Sequence, residues 1–190
     1  MVTQTEIDAL KAARKNGVQV AVAPQLFETP RDVARSMAGL ADLRGDLKIL
    51  EPSAGTGRLV DAIIDCGVIK SKIFLVEENQ HLSSALAKKY GRVYPGDFLE
   101  RCGWELGGPF DRILMNPPFE RGADIKHVLH ALEMLKPGGI LVGICAGGPR
   151  QKAQIEPLAA YWEELPPGTF KNAGTMVNSV LFTIEPEAKQ

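Results

Sequence analysis

The sequence predicts an α/β fold, a mostly parallel seven-stranded sheet covered by helices on both faces. Three observations carry this expectation. Short apolar runs of strand length alternate with segments of helical period between residues 29 and 145. The runs are apolar throughout, as strands buried on both faces are. Beyond residue 150 the alternation gives way to two late extended segments, which suit an antiparallel pair at one sheet edge.

In chain order, residues 5–15 place Ile7, Leu10 and Ala13 or Arg14 at helical spacing, and Asn16-Gly17 stops them. Residues 18–27 are apolar and broken by Pro24, so they read as extended chain or loop. Thr29 is expected to cap a helix with Pro30 at its first position, carrying Val33, Met37 and Leu40 inward until Arg44-Gly45-Asp46. A strand follows at 47–50, then the turn Glu51-Pro-Ser-Ala-Gly-Thr-Gly57 and a helix at about 58–66. A second strand at 72–76 ends in Glu77-Glu78, and Asn79 caps a helix at 80–89. The third strand, 92–94, closes on Pro95-Gly96-Asp97-Phe98. After a loop at 101–110, Ile113 to Met115 form a fourth strand running into Asn116-Pro117-Pro118-Phe119. A helix at 124–135 is expected to end at Lys136-Pro-Gly-Gly139, before a fifth strand at 140–145. Residues 151–165 read as a helix with a break at Pro157, and 169–172 and 177–184 as the late strands.

The 190 residues suit one domain. Within it, 1–45 would be a helical cap carrying Phe27-Glu-Thr-Pro30, 46–150 the core, and 151–190 a terminal helix with the late strands. Hydrophobic residues make up 45%, enough for a real core. A net charge of −1, from 22 basic and 23 acidic residues, lacks the excess that announces nucleic-acid binding, although a local patch can act inside a neutral total. Cys66, Cys102 and Cys145 show neither metal spacing nor a disulfide framework. They are expected as buried thiols in a reducing cytoplasm. The polar N-terminus is no signal peptide, and no apolar run approaches membrane length, so no membrane is expected. Target sequence, strandedness and oligomeric state leave no mark in the sequence.

The chemistry concentrates at the ends of the strands. Ligands of such sheets bind outside the carboxyl ends, near the switch in strand order. Gly55 and Gly57 would let a ligand approach the backbone after the first strand. Position 60 is Val where a dinucleotide fingerprint wants a third glycine, and a Walker lysine pattern is absent, so a pyrophosphate is disfavoured. Glu77, about 20 residues beyond Gly57, is placed to accept ribose hydroxyls. Asp97 and Phe98 suit an adenine, one taking its amino group and the other covering its ring. Each alone also fits a solvated Glu or a helix-capping Asp; their occurrence at successive strand ends favours a nucleoside ligand. Pro117 and Pro118 have fixed φ and no N–H, so they stiffen the turn that holds Asn116. A planar group bearing NH₂ could lie on Phe119 and donate to the Asn116 amide oxygen and the Pro117 carbonyl.

With these pieces in order, the chain resembles class I S-adenosylmethionine-dependent methyltransferases, and among them the gamma-type DNA adenine-N6 enzymes. The resemblance implies a Rossmann-like sheet with one antiparallel late strand, and S-adenosyl-L-methionine as cofactor. It implies that Phe27 and Thr29 sit near the methionine end, that Glu51, Pro52, Ala54, Gly55 and Gly57 line the floor, that Glu77 holds the ribose, and that Asp97 and Phe98 hold the adenine. Asn116, Pro117, Pro118 and Phe119 would orient the target amine. Such enzymes usually carry a separate target-recognition domain after the catalytic one, and here the last strand is followed by only a few residues. Weak base readout, or readout by a partner subunit, is therefore expected. The loops 101–110, 120–124 and 146–153 are the candidates for it, with Arg121, Arg150, Lys152 and Lys171 as a modest basic rim. His127 and His130 are expected on a helix surface, and Tyr161 and Trp162 as packing residues. Other acceptors share the Asn-Pro-Pro-aromatic logic: a guanine or adenine amine in RNA, or a glutamine side chain in a protein. A cofactor-binding subunit without activity of its own is the alternative outside catalysis.

Overall fold

The computed structural model describes residues 27–171 and 174–186; the helix expected at 5–15, and all but the last residue of the segment 18–27, lie outside them. Among the described residues, seven strands form one sheet: β1 (Ile49–Glu51), β2 (Ile73–Glu77), β3 (Val93–Pro95), β4 (Phe110–Met115), β5 (Leu135–Ala146), β6 (Tyr161–Glu164) and β7 (Ser179–Ile184). Their spatial order is β3-β2-β1-β4-β5-β7-β6. The first five run parallel. β7 runs antiparallel to both β5 and β6, so it alone is reversed. The chain winds outward from β1 to β3 and then crosses to β4, which puts the topological switch point between β1 and β4.

Among the described residues, five helices cover the sheet: α1 (Arg31–Leu40), α2 (Arg58–Asp65), α3 (Gln80–Tyr90), α4 (Ala123–Glu133) and the short α5 (Pro149–Gln154). Successive residues of each strand feed opposite layers, as the period of two requires. Ile49, Leu75 and Leu114 join Met37, Leu59, Ile63 and Leu86 in one core. Leu50, Phe74, Val76, Ile113 and Met115 join Ile125, Val128 and Ala131 in the other. No helix is long and apolar enough to cross a membrane, among the described residues.

Several expectations need correction. Thr29 does not cap α1: its hydroxyl accepts from Asn116, and Pro30 takes the cap position without a side-chain bond. Lys136 to Gly139 do not follow the helix as a turn but fall inside β5. The ladder pairs Leu135 with Phe110 and then Ile140 with Arg112, and Gly138, at φ +73°, absorbs the excess chain. The 151–165 helix ends early. α5 stops at Gln154, a 3₁₀ turn spans Glu156–Leu158, and Tyr161–Glu164 become β6. Pro157 supplies no helical N–H, and Trp162 finds apolar cover against Phe182, 6.0 Å between ring centroids. Of the strand expected at 169–172, the described residues 169–171 make none: Thr169 N–H and Lys171 N–H close turns onto Pro166 and Gly168, so they are not free to join a ladder. The antiparallel edge is therefore β7 with β6. Tyr161 is exposed, its hydroxyl donating to Glu163, so of the two expected packing aromatics only Trp162 packs. Cys145 is buried, but Cys66 and Cys102 are exposed, because they lie on a helix end and a loop.

The segment 101–109 also departs from its expected role. It carries the chain from the carboxyl end of β3 to the amino end of β4. Lys48, just before β1, donates to the Gly107 carbonyl at 2.8 Å, and Phe110 N–H bonds to Met134. Its far end, with the exposed Trp104, thus lies at the amino ends of the strands, opposite Asn116, and is removed from any base-reading role beside it.

Gly143 in β5 lies opposite Phe182 of β7, and a β-carbon there would meet the Phe182 ring at 2.4 Å. Gly143→Ala should destabilise the protein by roughly 1–3 kcal/mol, the ordinary cost of overpacking, measured by urea unfolding. An unchanged unfolding midpoint would show that β5 and β7 are not packed this closely.

Candidate active site

A cleft of about 570 Å³ opens at the carboxyl ends of β1 to β4. Phe27, Thr29, Glu51, Pro52, Ala54, Gly55, Glu77, Asp97, Phe98, Asn116 and Pro118 all border it. Gly57, Pro117 and Phe119 do not. Gly57 lies behind the wall at φ +83°, where a β-carbon would strike the Tyr90 ring at 2.7 Å. The Tyr90 hydroxyl donates to Asp61 at 2.6 Å and also reaches the Gly57 carbonyl at 3.2 Å. Burial, then the bond to Asp61, pushes the phenol up to about 12, so it remains a donor and fastens the glycine turn to α3. Phe119 is packed between Phe27, at 6.2 Å and 33°, and the edge of Phe170, at 6.4 Å and 80°.

Asn116 leaves β4 at the switch point. Its Nδ2 donates to the Phe27 carbonyl at 3.0 Å and to Thr29 Oγ1 at 3.1 Å. A carbonyl cannot donate, so the amide orientation follows from the bond to Phe27. Both amide hydrogens are used within the protein. Asn116 Oδ1 is buried and has no hydrogen-bond partner. An acceptor held in that state costs about 1–3 kcal/mol unless a ligand satisfies it.

Five carboxylates edge the same cleft, those of Glu28, Glu51, Glu77, Glu78 and Asp97, and three of them bear on a ligand. Glu51 is 2% exposed, and its Oε2 has no partner. Burial, then the charges of Glu77 and Asp61, raises its carboxyl well above the usual range. Glu77 accepts from Gly55 N–H at 2.7 Å through one oxygen and from Asn79 N–H at 2.8 Å through the other. Burial raises its carboxyl too, against the lowering effect of those two bonds. Each Glu77 oxygen keeps a lone pair for a further donor. Asp97 Oδ1 caps the short turn after β3 by accepting from Leu99 N–H at 2.8 Å, which aims the carboxylate beside Phe98.

Several residues of the site escaped sequence reasoning. Glu28 accepts from Thr56 Oγ1 at 2.6 Å and pairs with Arg58 at 2.8 Å, tying Phe27-Glu-Thr-Pro30 to the glycine turn. Burial alone would raise its carboxyl; the bonds from Thr56 and Arg58 and the charges of Arg58 and Arg31 hold it below the ordinary value. His127 is not on the surface. It borders the cleft, 7% exposed, with its ring 5.7 Å from Phe98. His130 is half-buried, edge-on to Phe98 at 4.9 Å, with Nε2 2.8 Å from the Arg101 carbonyl. The fully buried Asp124 accepts from Ala146 N–H and from Gln151 Nε2, fixing the start of α4 against the end of β5 and α5. The spacing of Asp124 and His127, one turn apart on a helix leaving the Asn-Pro-Pro-Phe corner, was the available signal. Of the expected basic rim, Arg121, Arg150 and Lys171 are exposed, while Lys152 pairs with Glu164 at 2.7 Å.

The strand order, the single reversed strand and the cleft at the switch point define the class: this is the Rossmann-like fold of class I S-adenosylmethionine-dependent methyltransferases. No family model matches the chain. It is similar, at 33% identity over 110 residues, to the type II methyltransferase M.TthHB8I of Thermus thermophilus, a match covering 57% of this chain and 24% of that protein. It is also 31% identical over 125 residues to a protein-L-isoaspartate O-methyltransferase of Dictyoglomus turgidum, covering 62% of this chain and 52% of that one. The chain thus matches no more than about half the length of these curated relatives. Among solved structures, a chain of a type I R-M system superposes with a TM-score of 0.67 at 22% identity, over 96% of this chain and 47% of that one. An RNA methyltransferase from Salinibacter ruber in complex with S-adenosyl-L-homocysteine superposes with a TM-score of 0.58 at 16% identity, over 86% and 95%.

Glu51 offers a test of the charge held in the cleft. Its folded-state carboxyl titrates above its unfolded value, so its burial costs nothing at low pH and more as pH rises between the two. Glu51→Gln should therefore stabilise the ligand-free protein at pH 7 by on the order of 1–3 kcal/mol, with the gain fading towards about pH 4. Urea unfolding of both proteins across that range checks it; a Gln variant no more stable at neutral pH would contradict it.

Proposed function

We propose that this protein is an S-adenosylmethionine-dependent methyltransferase that acts on the exocyclic N6 amine of adenine in DNA, with low sequence specificity. The observation that carries this reading is the Asn116 amide: hydrogens engaged, oxygen buried and unpartnered. The cleft suits the cofactor on the same grounds. Glu51 Oε2 is a buried acceptor without a donor, fitted to the ammonium of the methionine moiety. The free lone pairs of Glu77 suit ribose hydroxyls, and Asp97 with Phe98 suits the adenine.

When bound, the cofactor supplies a methyl group already activated on a sulfonium. The protein's contribution is alignment. Asn116 Oδ1 accepts one hydrogen of the target amine and the Pro117 carbonyl the other, which requires the target to enter beyond the cofactor cleft, because Pro117 does not border that cleft. Those bonds favour a pyramidal nitrogen, whose lone pair is otherwise delocalised into the ring, and they aim it along the methyl axis. Phe119 supplies the flat surface beside the base. Its present contacts with Phe27 and Phe170 mean that one of these rings yields when a base stacks there. A base in a duplex must also leave the stack, at a cost of a few kcal/mol. Of the basic rim expected from the sequence, Arg121, Arg150 and Lys171 are exposed and available to phosphates. A rim reduced to these three residues supports weak base readout or a partner subunit that supplies it.

The amide corner also separates this reading from O-methylation. A carboxylate acceptor brings no hydrogen to Asn116 Oδ1, whereas an amine brings two. A guanine or adenine amine in RNA remains the second reading, because the same corner would hold it.

Radiolabelled methyl transfer should be measured to adenine-containing DNA, to ribosomal RNA and to protein, with nucleoside mass spectrometry of the products. Labelled N6-methyladenine from DNA of many sequences is the expected result. Asn116→Ala should lower that rate at least about a hundredfold, the scale of one lost transition-state hydrogen bond at a preorganised site. Unchanged transfer by Asn116→Ala would remove the amide from the chemistry. Labelling confined to RNA, or to one DNA sequence, would overturn the substrate or the specificity assigned.

A further inference from the structure

His127 stands in the cleft without a role in the function proposed above. Its Nδ1 lies 2.8 Å from the Ala123 carbonyl oxygen. A carbonyl accepts only, so Nδ1 carries the hydrogen, and in the neutral ring Nε2 is a bare acceptor. Among the described residues nothing donates to that nitrogen. His130, one turn further along α4, differs: Nε2 meets the Arg101 carbonyl, and Nδ1 lies 3.7 Å from Glu133. Burial lowers the affinity of His127 for a second proton, against the bond to Ala123 and the charges of Asp97 and Asp124, which favours the neutral ring.

The ring is positioned, not merely present. Asp124, held by Gln151 and Ala146, fixes the first turn of α4. Phe98 packs against the imidazole at 5.7 Å and 32°. The cleft therefore presents two acceptors around Phe98: the Asp97 carboxylate, whose Oδ1 already serves Leu99, and His127 Nε2. A ring lying on Phe98 would meet acceptors on its rim. An amino group satisfies two acceptors with its two hydrogens; an oxo group at the same ring position would set a third acceptor against them.

Resting on the cofactor reading above, we infer that His127 is a positioning residue for the purine of the cofactor, its Nε2 accepting one hydrogen of the exocyclic amine while Asp97 accepts the other. His127 thereby selects an adenine nucleoside over its 6-oxo counterpart.

The test is titration calorimetry of the full chain with S-adenosylhomocysteine and with S-inosylhomocysteine. The wild type should bind the adenine form and prefer it strongly. His127→Phe keeps a flat ring against Phe98 and removes the acceptor. It should bind the adenine form about tenfold more weakly, the scale of one hydrogen bond to an uncharged acceptor, with affinity for the inosine form unchanged or improved. His127→Gln, which retains an acceptor, should keep most of the preference and serves if the Phe variant does not fold. An equal loss for both ligands would show that the ring only packs, and no loss would show that Nε2 faces no ligand; either overturns the inference. Failure of the wild type to bind S-adenosylhomocysteine would instead overturn the cofactor reading on which it rests.

Discussion

The site depends on how one amide is turned. Asn116 gives its two hydrogens to Phe27 and Thr29, groups that precede the first strand, and so joins the entrance of the core to the end of β4. Reversing the amide would face its oxygen towards the Phe27 carbonyl and lose that bond, since a carbonyl only accepts, whereas the Thr29 hydroxyl can serve either orientation. The oxygen is therefore kept as an acceptor without a partner, at the point where the strand order reverses. Pro117 and Pro118 remove the freedom by which the turn could relax and satisfy it otherwise. The Glu28 clamp onto Thr56 and Arg58 does the same on the other side, by fastening Phe27 and Thr29 to the glycine turn.

The wall of the cleft repeats this logic. The polar groups along it are mostly acceptors: Glu51, Glu77, Asp97, the Asn116 oxygen and His127 Nε2. Arg58, the one cation bordering the cleft among the described residues, already faces Glu28. The elevated carboxyls of Glu51 and Glu77 express the same imbalance, since burial penalises their charged forms. A ligand complementary to such a wall brings hydrogens in several places at once: an ammonium, a pair of hydroxyls and an amino group. Structural ion-pair networks also perturb carboxyls, but here the unpartnered oxygens point to a ligand rather than to an internal counter-charge.

Much of this was legible in the sequence, and what was not has physical causes. The parallel core could be read because short apolar runs punctuated by Gly, Pro and acidic turns leave few other solutions. The strand-end residues could be read because each sits where its strand must stop. The late region was misread because 151–165 has helical composition, and only the presence of Phe182 makes an extended Trp162 worthwhile. Thr169 to Lys171 look β-favouring, but the preceding Pro-Pro-Gly turn takes the N–H groups of Thr169 and Lys171. Helical period alone does not say which face α4 turns inward, so the sequence by itself places His127 on the surface. That orientation is set by Asp124 reaching Ala146 and Gln151, a long-range contact. Thr29 was read as a helix cap for a similar reason, since its partner Asn116 is remote in sequence.

The most direct measurement is a crystal structure of the protein with S-adenosylhomocysteine. The acceptor-lined cleft predicts the amino-acid ammonium on Glu51, the ribose hydroxyls on Glu77, and the sulfur turned towards the Asn116 oxygen. A ligand bound elsewhere on the surface, or bound in the cleft with its sulfur turned away from an Asn116 whose amide has reversed, would contradict it.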